Sequence, residues 1–456
     1  MAESVLDRIV QRKRTEVAER LGGATSDARP TRRSLSDALR KPGARFIMEV
    51  KKASPSGHRS THSVDEAVRA YAPAADAISV LTDGPDFGGR LEDIAAVRRR
   101  FDGPILAKDF IVDARQVAEA RRHGADAILV ILSALDDSEA AAVLAEARRL
   151  SMDAITEVHD ERELGRAVAL GAAIIGINNR DLRTLRTDLE VTRRLAPSVP
   201  KGVLAISESG IRDRSDVKAL SPFVDGFLVG SALMASPDIG SEARALVHGR
   251  VKICGFTREE DVAAAAAYGA THAGFVFVPG TPRAVDAQTG QGLSSTAAAL
   301  GLKRVGIFRD SKREKVIQIA DSLALDAVQL HGSETQEDIE SIRNSLDPGV
   351  EIWAACSVAG DACEARPGAD RLLFDSGSGG TGRVFDWTLV EGREDLPTAV
   401  LAGGINAGNA READAVGAYA IDVGSGVEAE PGRKDSGKLR DLFAALRPDA
   451  RRSECA

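Results

Sequence analysis

From about residue 45 onward, short apolar runs alternate with longer stretches rich in Ala, Arg and Glu, and they do so in two sets of eight. The first set lies near 46–50, 77–81, 104–108, 127–132, 153–157, 174–178, 203–207 and 226–229. The second lies near 251–254, 272–277, 303–308, 326–330, 350–355, 370–375, 398–402 and 420–424. Short apolar runs separated by helix-length segments read as parallel strands with crossover helices, buried on both faces. Eight such units close into a barrel of roughly 200 to 250 residues, so 456 residues hold two. The pattern predicts an α/β chain of two fused (β/α)8 TIM barrels, residues 1–247 and 248–456, with a short linker inside 241–250. Ahead of the first strand, Leu6, Ile9, Val10, Val17 and Leu21 fall on one helical face. This N-terminal helical extension either covers the mouth of the first barrel or caps its bottom. The stretch 24–34 reads as a loop.

Side chains alternate along a strand with period two, so the polar residues that end each apolar run show what the barrel mouth contains. In the first half these are Glu49 and Lys51, Lys108, Glu157, Asn178 with Arg180, Glu208 with Ser209, and Gly230-Ser231. One charged residue at a strand end is commonly a solvated ion pair, but six exits that converge on one mouth are not explained that way. Lysines and glutamates crowded there shift each other's proton affinities, as acid–base catalysis requires. Gly210 and Gly230-Ser231 offer open backbone N–H groups where many barrels hold a phosphate, so the substrate is expected to be phosphorylated.

Glu49-x-Lys51-x-x-Ser54-Pro55-Ser56, Lys108-Asp-Phe-Ile, Thr156-Glu157-Val, Gly176-Ile-Asn-Asn-Arg-Asp-Leu182, Ser207-Glu-Ser-Gly-Ile211 and Gly230-Ser231 together closely resemble indole-3-glycerol phosphate synthase, over about residues 1 to 245. The resemblance implies ring closure of 1-(2-carboxyphenylamino)-1-deoxyribulose 5-phosphate with loss of carbon dioxide and water. It makes Lys108 the general acid at the sugar carbonyl and Lys51 the holder of the anthranilate carboxylate. Glu157 becomes the second acid–base group, acting in the dehydration. Glu49, Asn178 and Glu208 orient these groups, and Ser54, Ser209, Gly230 and Ser231 lie near the phosphate. Phe87, Phe110, Leu129 and Leu182 supply an apolar wall, with core packing the competing reading for each. Many relatives carry Lys directly after Ser-Pro-Ser, where this chain has Gly57-His58.

In the second half, Val251-Lys-Ile-Cys254-Gly puts a thiol at the first strand exit, and Asp375 stands at the sixth, before a glycine-rich loop. A thiol and a carboxylate in one mouth form a base and an acid, although a buried structural cysteine is the ordinary reading of a single Cys. Gly403-Gly404 and Gly424-Ser425-Gly426 again suit a phosphate. With Gly274-Phe-Val-Phe, Thr281-Pro-Arg283, Val328-Gln-Leu-His-Gly332, Phe385-Asp-Trp387 and Asp422-Val-Gly-Ser-Gly-Val-Glu428, these segments strongly resemble phosphoribosylanthranilate isomerase, over about 250 to 448. The family reaction is an Amadori rearrangement. Asp375 would protonate the furanose oxygen, Cys254 would remove the C2′ proton, Arg283 would contact the anthranilate carboxylate and His331 would line the pocket. Gly424 stands where relatives often have Ser.

The isomerase product is the synthase substrate, so the resemblances place two consecutive steps of tryptophan biosynthesis on one chain, with independent sites that release the intermediate to solvent. The alternatives are another phosphosugar barrel isomerase or aldolase, or a non-catalytic barrel scaffold; a lysine Schiff-base enzyme would leave a borohydride-trappable adduct. Neither reaction needs a redox carrier, and the seven histidines and four cysteines show no metal-ligand spacing, so no cofactor and no metal are expected. His58 and His62 read as solvated, and all four cysteines as reduced thiols. A formal charge of −8 argues against nucleic-acid partners, and no apolar segment approaches the ~20 residues of a membrane span. The expected partners are small phosphorylated anthranilate-ribose compounds, and the expected protein is a cytoplasmic monomer.

Overall fold

The computed structural model describes residues 5–22, 27–53, 57, 59–181, 184–358, 366–377, 382 and 384–451. The chain divides into two compact units, Met1–Ala243 with Pro448–Ala456, and Arg244–Arg447.

In the first unit, β1 (Arg45–Val50), β2 (Ala77–Leu81), β3 (Ile105–Lys108), β4 (Ala127–Ile131), β5 (Asp153–Val158), β6 (Ile174–Asn178), β7 (Leu204–Glu208) and β8 (Gly226–Val229) form a closed barrel in chain order. All neighbours are parallel, and β1 seals against β8 through Phe46 and Phe227. Ile47, Leu106, Leu129, Ile155, Ile174, Ile206 and Leu228 pack together inside. Two residues further along the same faces stand Glu49, Lys108, Ile131, Glu157, Gly176, Glu208 and Gly230. The period-two rule thus carries an apolar core upward into a charged rim.

The helix Val5–Leu21 covers the mouth: Val5, Leu6 and Ile9 line the cavity at the C-terminal strand ends. Of the two readings open from the sequence, the structure takes this one. The bottom is plugged instead by the short helix Leu35–Leu39, whose Leu35 and Leu39 join the core and whose Ser36 donates to Asp153 at the start of β5. The N-terminal helix is tied down by charge. Buried Lys13 lies 2.8 Å from Asp83 and 3.0 Å from Asp109, in the loops after β2 and β3. Burial works against its charge, but the two carboxylates outweigh it and hold the ammonium pKa up. Breaking such a buried pair costs about 3–5 kcal/mol, so Lys13→Met is expected to lower the melting temperature of this unit by about 10 °C. Differential scanning calorimetry checks this.

The second unit closes in the order β9 (Val251–Cys254), β10 (His272–Val276), β11 (Lys303–Phe308), β12 (Ala327–Leu330), β13 (Glu351–Ser357), β14 (Arg371–Asp375), β15 (Val400–Leu401) and β16 (Ala420–Val423), with β16 returning to β9. Its interior holds Val305, Ala327, Trp353, Leu373, Val400 and Ala420, with His272 against the Trp353 ring. Burial pushes His272 down to about 3, so this imidazole is a neutral core group. The seventh strand is shorter than the run 398–402, because a 3-10 turn at Leu396–Thr398 precedes it and Gly403 and Gly404 follow with φ of 88° and 65°. A feature absent from the sequence reading is the antiparallel hairpin β17 (Glu428–Glu430) and β18 (Arg433–Lys434) after the eighth strand.

Two other expectations are corrected. Cys254 is a free thiol but Cys356, at the rim end of β13, is disulfide-bonded rather than reduced. His62 is not simply solvated, because its Nε2 lies 2.8 Å from the Ser236 carbonyl. His58 lies outside the described residues. No helix among the described residues is long and apolar enough to cross a membrane.

Candidate active sites

A cavity of about 390 Å³ occupies the mouth of the first barrel, lined by Glu49, Lys51, Lys108, Glu157, Asn178, Arg180, Ser209, Gly210, Gly230 and Ser231. Phe87, Phe110 and Leu129 form part of its apolar wall, the two phenyl rings 6.1 Å apart. Ser54 and Leu182 lie outside the described residues. The sequence did not mark Ile131, Leu185, Ile211 or Arg212, which also line it.

The charges interlock. Lys108 Nζ lies 2.7 Å from Glu208 Oε2 and 3.7 Å from Glu49 Oε2. Lys51 Nζ lies 3.2 Å from Glu49 Oε1 and donates to Ser231 Oγ at 2.7 Å. Burial disfavours the Lys108 charge, yet Glu208, Glu49 and Glu157 outweigh it and raise its pKa, so the ammonium is held protonated. Burial likewise opposes ionisation of Glu49, but Lys51 and Lys108 hold its carboxyl below the usual range. Glu208 goes the other way, because its burial and the neighbouring Glu157 exceed the help from Lys108. Glu208 is fully buried beneath Lys108 rather than on the cavity wall, and its Oε1 has no hydrogen-bond partner among the described residues.

Two glycines make room for these carboxylates. A Cβ on Gly176 would stand 2.1 Å from Glu208 Oε1, and one on Gly230 would stand 2.4 Å from Glu49 Oε1. Gly176→Ala is therefore expected to push Glu208 off Lys108 and to cut turnover at this site about tenfold or more; steady-state kinetics alongside a melting curve separate the site effect from unfolding. Ser209 and Gly210 both have positive φ, 65° and 84°, and such a non-glycine residue marks a constrained turn. That turn is pinned by Asn179, which the sequence reading passed over. Its Nδ2 donates to the Glu208 and Ser209 carbonyls at 3.0 Å.

The second barrel holds a cavity of about 160 Å³ lined by Cys254, Arg283, His331, Asp375, Gly403, Gly404, Gly424 and Ser425. Arg309, Gln329 and Asp422 line it too and were not singled out. The signal for the last two was available, since Gln329 and Asp422 sit two residues before His331 and Gly424 on the same strand faces. Asp375 Oδ2 lies 3.4 Å from His331 Nε2, and His331 Nδ1 meets Gln329 Nε2 at 2.9 Å.

Beneath Cys254, fully buried Lys252 pairs with Asp422 at 2.7 Å. Burial pushes the Cys254 thiol pKa up, with Lys252 pulling against it. Arg283 grips Glu428 through Nε at 2.9 Å and Nη2 at 2.6 Å. The hairpin's Lys434 Nζ reaches the same Glu428 at 2.8 Å and the Cys254 carbonyl at 2.5 Å. Burial opposes the Glu428 charge, but Arg283 and Lys434 hold its carboxyl well below the usual range. Among the described residues no group of three His, Cys, Asp or Glu side chains is placed to hold a metal ion.

The family model for Indole-3-glycerol phosphate synthase matches residues 6–246, and that for N-(5'phosphoribosyl)anthranilate (PRA) isomerase matches residues 251–445. The tryptophan biosynthesis protein TrpCF of Salmonella typhi is 42% identical over 451 residues, covering 98% of this chain and 99% of its own. TrpCF of Vibrio parahaemolyticus is 43% identical over 466 residues, covering 98% of this chain and 95% of its own. Among solved structures, the phosphoribosyl anthranilate isomerase from Thermus thermophilus has 37% sequence identity and a TM-score of 0.39, covering 43% of this chain and 98% of its own.

Proposed function

This chain belongs to the bifunctional enzymes of tryptophan biosynthesis that join an indole-3-glycerol phosphate synthase to a phosphoribosylanthranilate isomerase, and from that premise we propose which residues carry each step. Its substrates are small phosphorylated molecules. The isomerase step is assigned to residues 248–456 and the ring-closing step to residues 1–247.

In the isomerase step, Asp375 protonates the furanose oxygen as the ring opens, and Cys254 takes the C2′ proton. The buried Lys252 ammonium next to Cys254 offers a countercharge to the thiolate. Arg283, oriented by its two bonds to Glu428, receives the anthranilate carboxylate, and His331 stands beside Asp375. Gly403, Gly404, Gly424 and Ser425 take the phosphate through backbone N–H groups.

In the ring-closing step, Lys51 holds the anthranilate carboxylate while Lys108 donates its proton to the sugar carbonyl oxygen as the aromatic ring carbon attacks. Carbon dioxide then leaves, and Glu157 serves as the acid–base group in the loss of water. Glu49 and Glu208 fix the two ammonium groups, Asn178 and Arg180 contact the sugar, and Ser209, Gly210, Gly230 and Ser231 take the phosphate. Phe87, Phe110 and Leu129 hold the aromatic ring. After Lys108 has given its proton away, the amine that remains among three carboxylates is strongly basic and reloads quickly.

The observation that carries this assignment is the gathering of Lys51, Lys108, Glu49 and Glu157 in one cavity and of Cys254 and Asp375 in the other. The reading takes the chain as a monomer in the cytoplasm, where charged phosphate esters that do not cross a bilayer are retained. The purified chain, given N-(5-phosphoribosyl)anthranilate, should release one carbon dioxide for each indole-3-glycerol phosphate, with or without EDTA. A stall at the rearranged intermediate, or a requirement for an added metal, would contradict the assignment.

A further inference from the structure

We propose that His159 is a positioning residue for ring closure: held by Glu163 and protonated, it pairs by charge with Glu157 and fixes that carboxylate in the cavity. The inference rests on the reading of Glu157 as an acid–base group. It starts from strand geometry. Ile155, Glu157 and His159 share one face of β5 and its extension, with Ile155 in the core, Glu157 on the cavity wall and His159 just above it.

The imidazole's proton on one side is fixed by its partner. His159 Nδ1 lies 3.0 Å from Glu163 Oε2, and the His159 backbone N–H donates to the same oxygen at 2.9 Å. An ionised carboxylate only accepts, so Nδ1 carries the hydrogen. Nε2 is buried and has no hydrogen-bond partner among the described residues, and Glu157 Oε1 stands 3.4 Å from it. A neutral ring would therefore turn a lone pair toward a carboxylate oxygen, whereas an imidazolium turns an N–H toward it. The groups facing the ring favour the second state. Glu157 faces it from β5, Glu163 from the helix Glu161–Ala169 and Glu208 from β7. The nearby cation Lys108 is already committed to Glu208 and Glu49, and Arg162 reaches only the far side of Glu163, at 3.9 Å. Burial disfavours the imidazolium, but the three carboxylates outweigh it and raise the ring's pKa above its ordinary value.

The arrangement makes ring closure depend on the protonation of a residue that never touches substrate. As pH rises through the His159 pKa, Nε2 loses its proton, the contact with Glu157 becomes repulsive and the carboxylate swings free. The test compares kcat and its pH profile for His159→Gln, Glu163→Gln and Glu157→Gln, with the isomerase step of the same protein as a folding control. His159→Gln should lower the ring-closing kcat about tenfold at pH 7, change KM by less than twofold and remove the alkaline limb contributed by the imidazolium. Glu163→Gln should move that limb to lower pH, because one of the carboxylates that raise the pKa is gone, and it keeps the test open should His159→Gln fail to fold. If Glu157→Gln loses ring closure while the His159 and Glu163 variants keep wild-type kcat and pH profile, the positioning role is overturned and the reading of Glu157 stands. If Glu157→Gln keeps its activity, that reading falls and this inference with it.

Discussion

Lys108→Met is expected to lower the ring-closing kcat by about 10³-fold, on the order of 4 kcal/mol of transition-state stabilisation, and to leave the isomerase step unchanged. Methionine keeps the length and apolar stem of lysine but carries no proton. The carbonyl oxygen that accepts charge as the ring closes would then lose its donor, and the neighbouring ammonium is already committed: Lys51 is bonded to Ser231 and paired with Glu49. A second cost follows from burial. Among the described residues Glu208 is ion-paired with Lys108, at 2.7 Å, so removal of the ammonium leaves this buried carboxylate without that partner. Glu208 is then expected to take up a proton. The measurement is steady-state kinetics with the rearranged intermediate supplied directly. Residual activity within tenfold of wild type would remove Lys108 from the role of general acid.

Cys254→Ser should reduce the isomerase rate by about 10³-fold as well, while ring closure of supplied intermediate proceeds normally. Serine matches the thiol in shape but is a far weaker acid, so its alkoxide is not accessible as a base. The same thiol gives the isomerase a direction with pH. Burial has pushed the Cys254 pKa up, so the thiolate fraction, and with it the rate, should still be rising as pH increases beyond neutrality. The serine variant should lack that rise. A variant that kept both the wild-type rate and the pH dependence would mean that another group takes the C2′ proton.

Much of this was legible because strands have a period of two. Once Ile47, Leu106, Ile155 and Ile206 are recognised as core, Glu49, Lys108, Glu157 and Glu208 must point the same way two residues later, and the short polar tails of apolar runs reveal a mouth. The same rule reaches Asp375 from Leu373, and applied to Ala420 it would have reached Asp422 as well. What stayed hidden depends on elements that approach only when the barrel closes. Lys13 meets Asp83 and Asp109 across most of one domain's early sequence, and nothing local to any of the three marks the pairing. Lys434 returns in a hairpin beyond the last barrel strand to bond the carbonyl of Cys254 at the first. Gly176 reads as an ordinary strand glycine until Glu208 is seen to occupy the space its missing Cβ leaves. Nothing in the sequence marks His159, which stands just past a strand, because Glu163, which fixes its hydrogen, belongs to the following helix.

The central claim is that one chain carries two complete acid–base sites, each serving one step, with the intermediate released between them. The most direct measurement mixes two crippled proteins, Lys108→Met and Asp375→Asn, in equal amounts with N-(5-phosphoribosyl)anthranilate and follows indole-3-glycerol phosphate. Each variant alone should form almost none. The mixture should regain a rate close to that of wild type diluted twofold, after a lag while free intermediate accumulates. A mixture as inactive as its parts, with each variant still competent in its remaining step, would show that the intermediate does not pass through solution. Failure of the Lys108→Met protein to isomerise would show that the two sites are not separate.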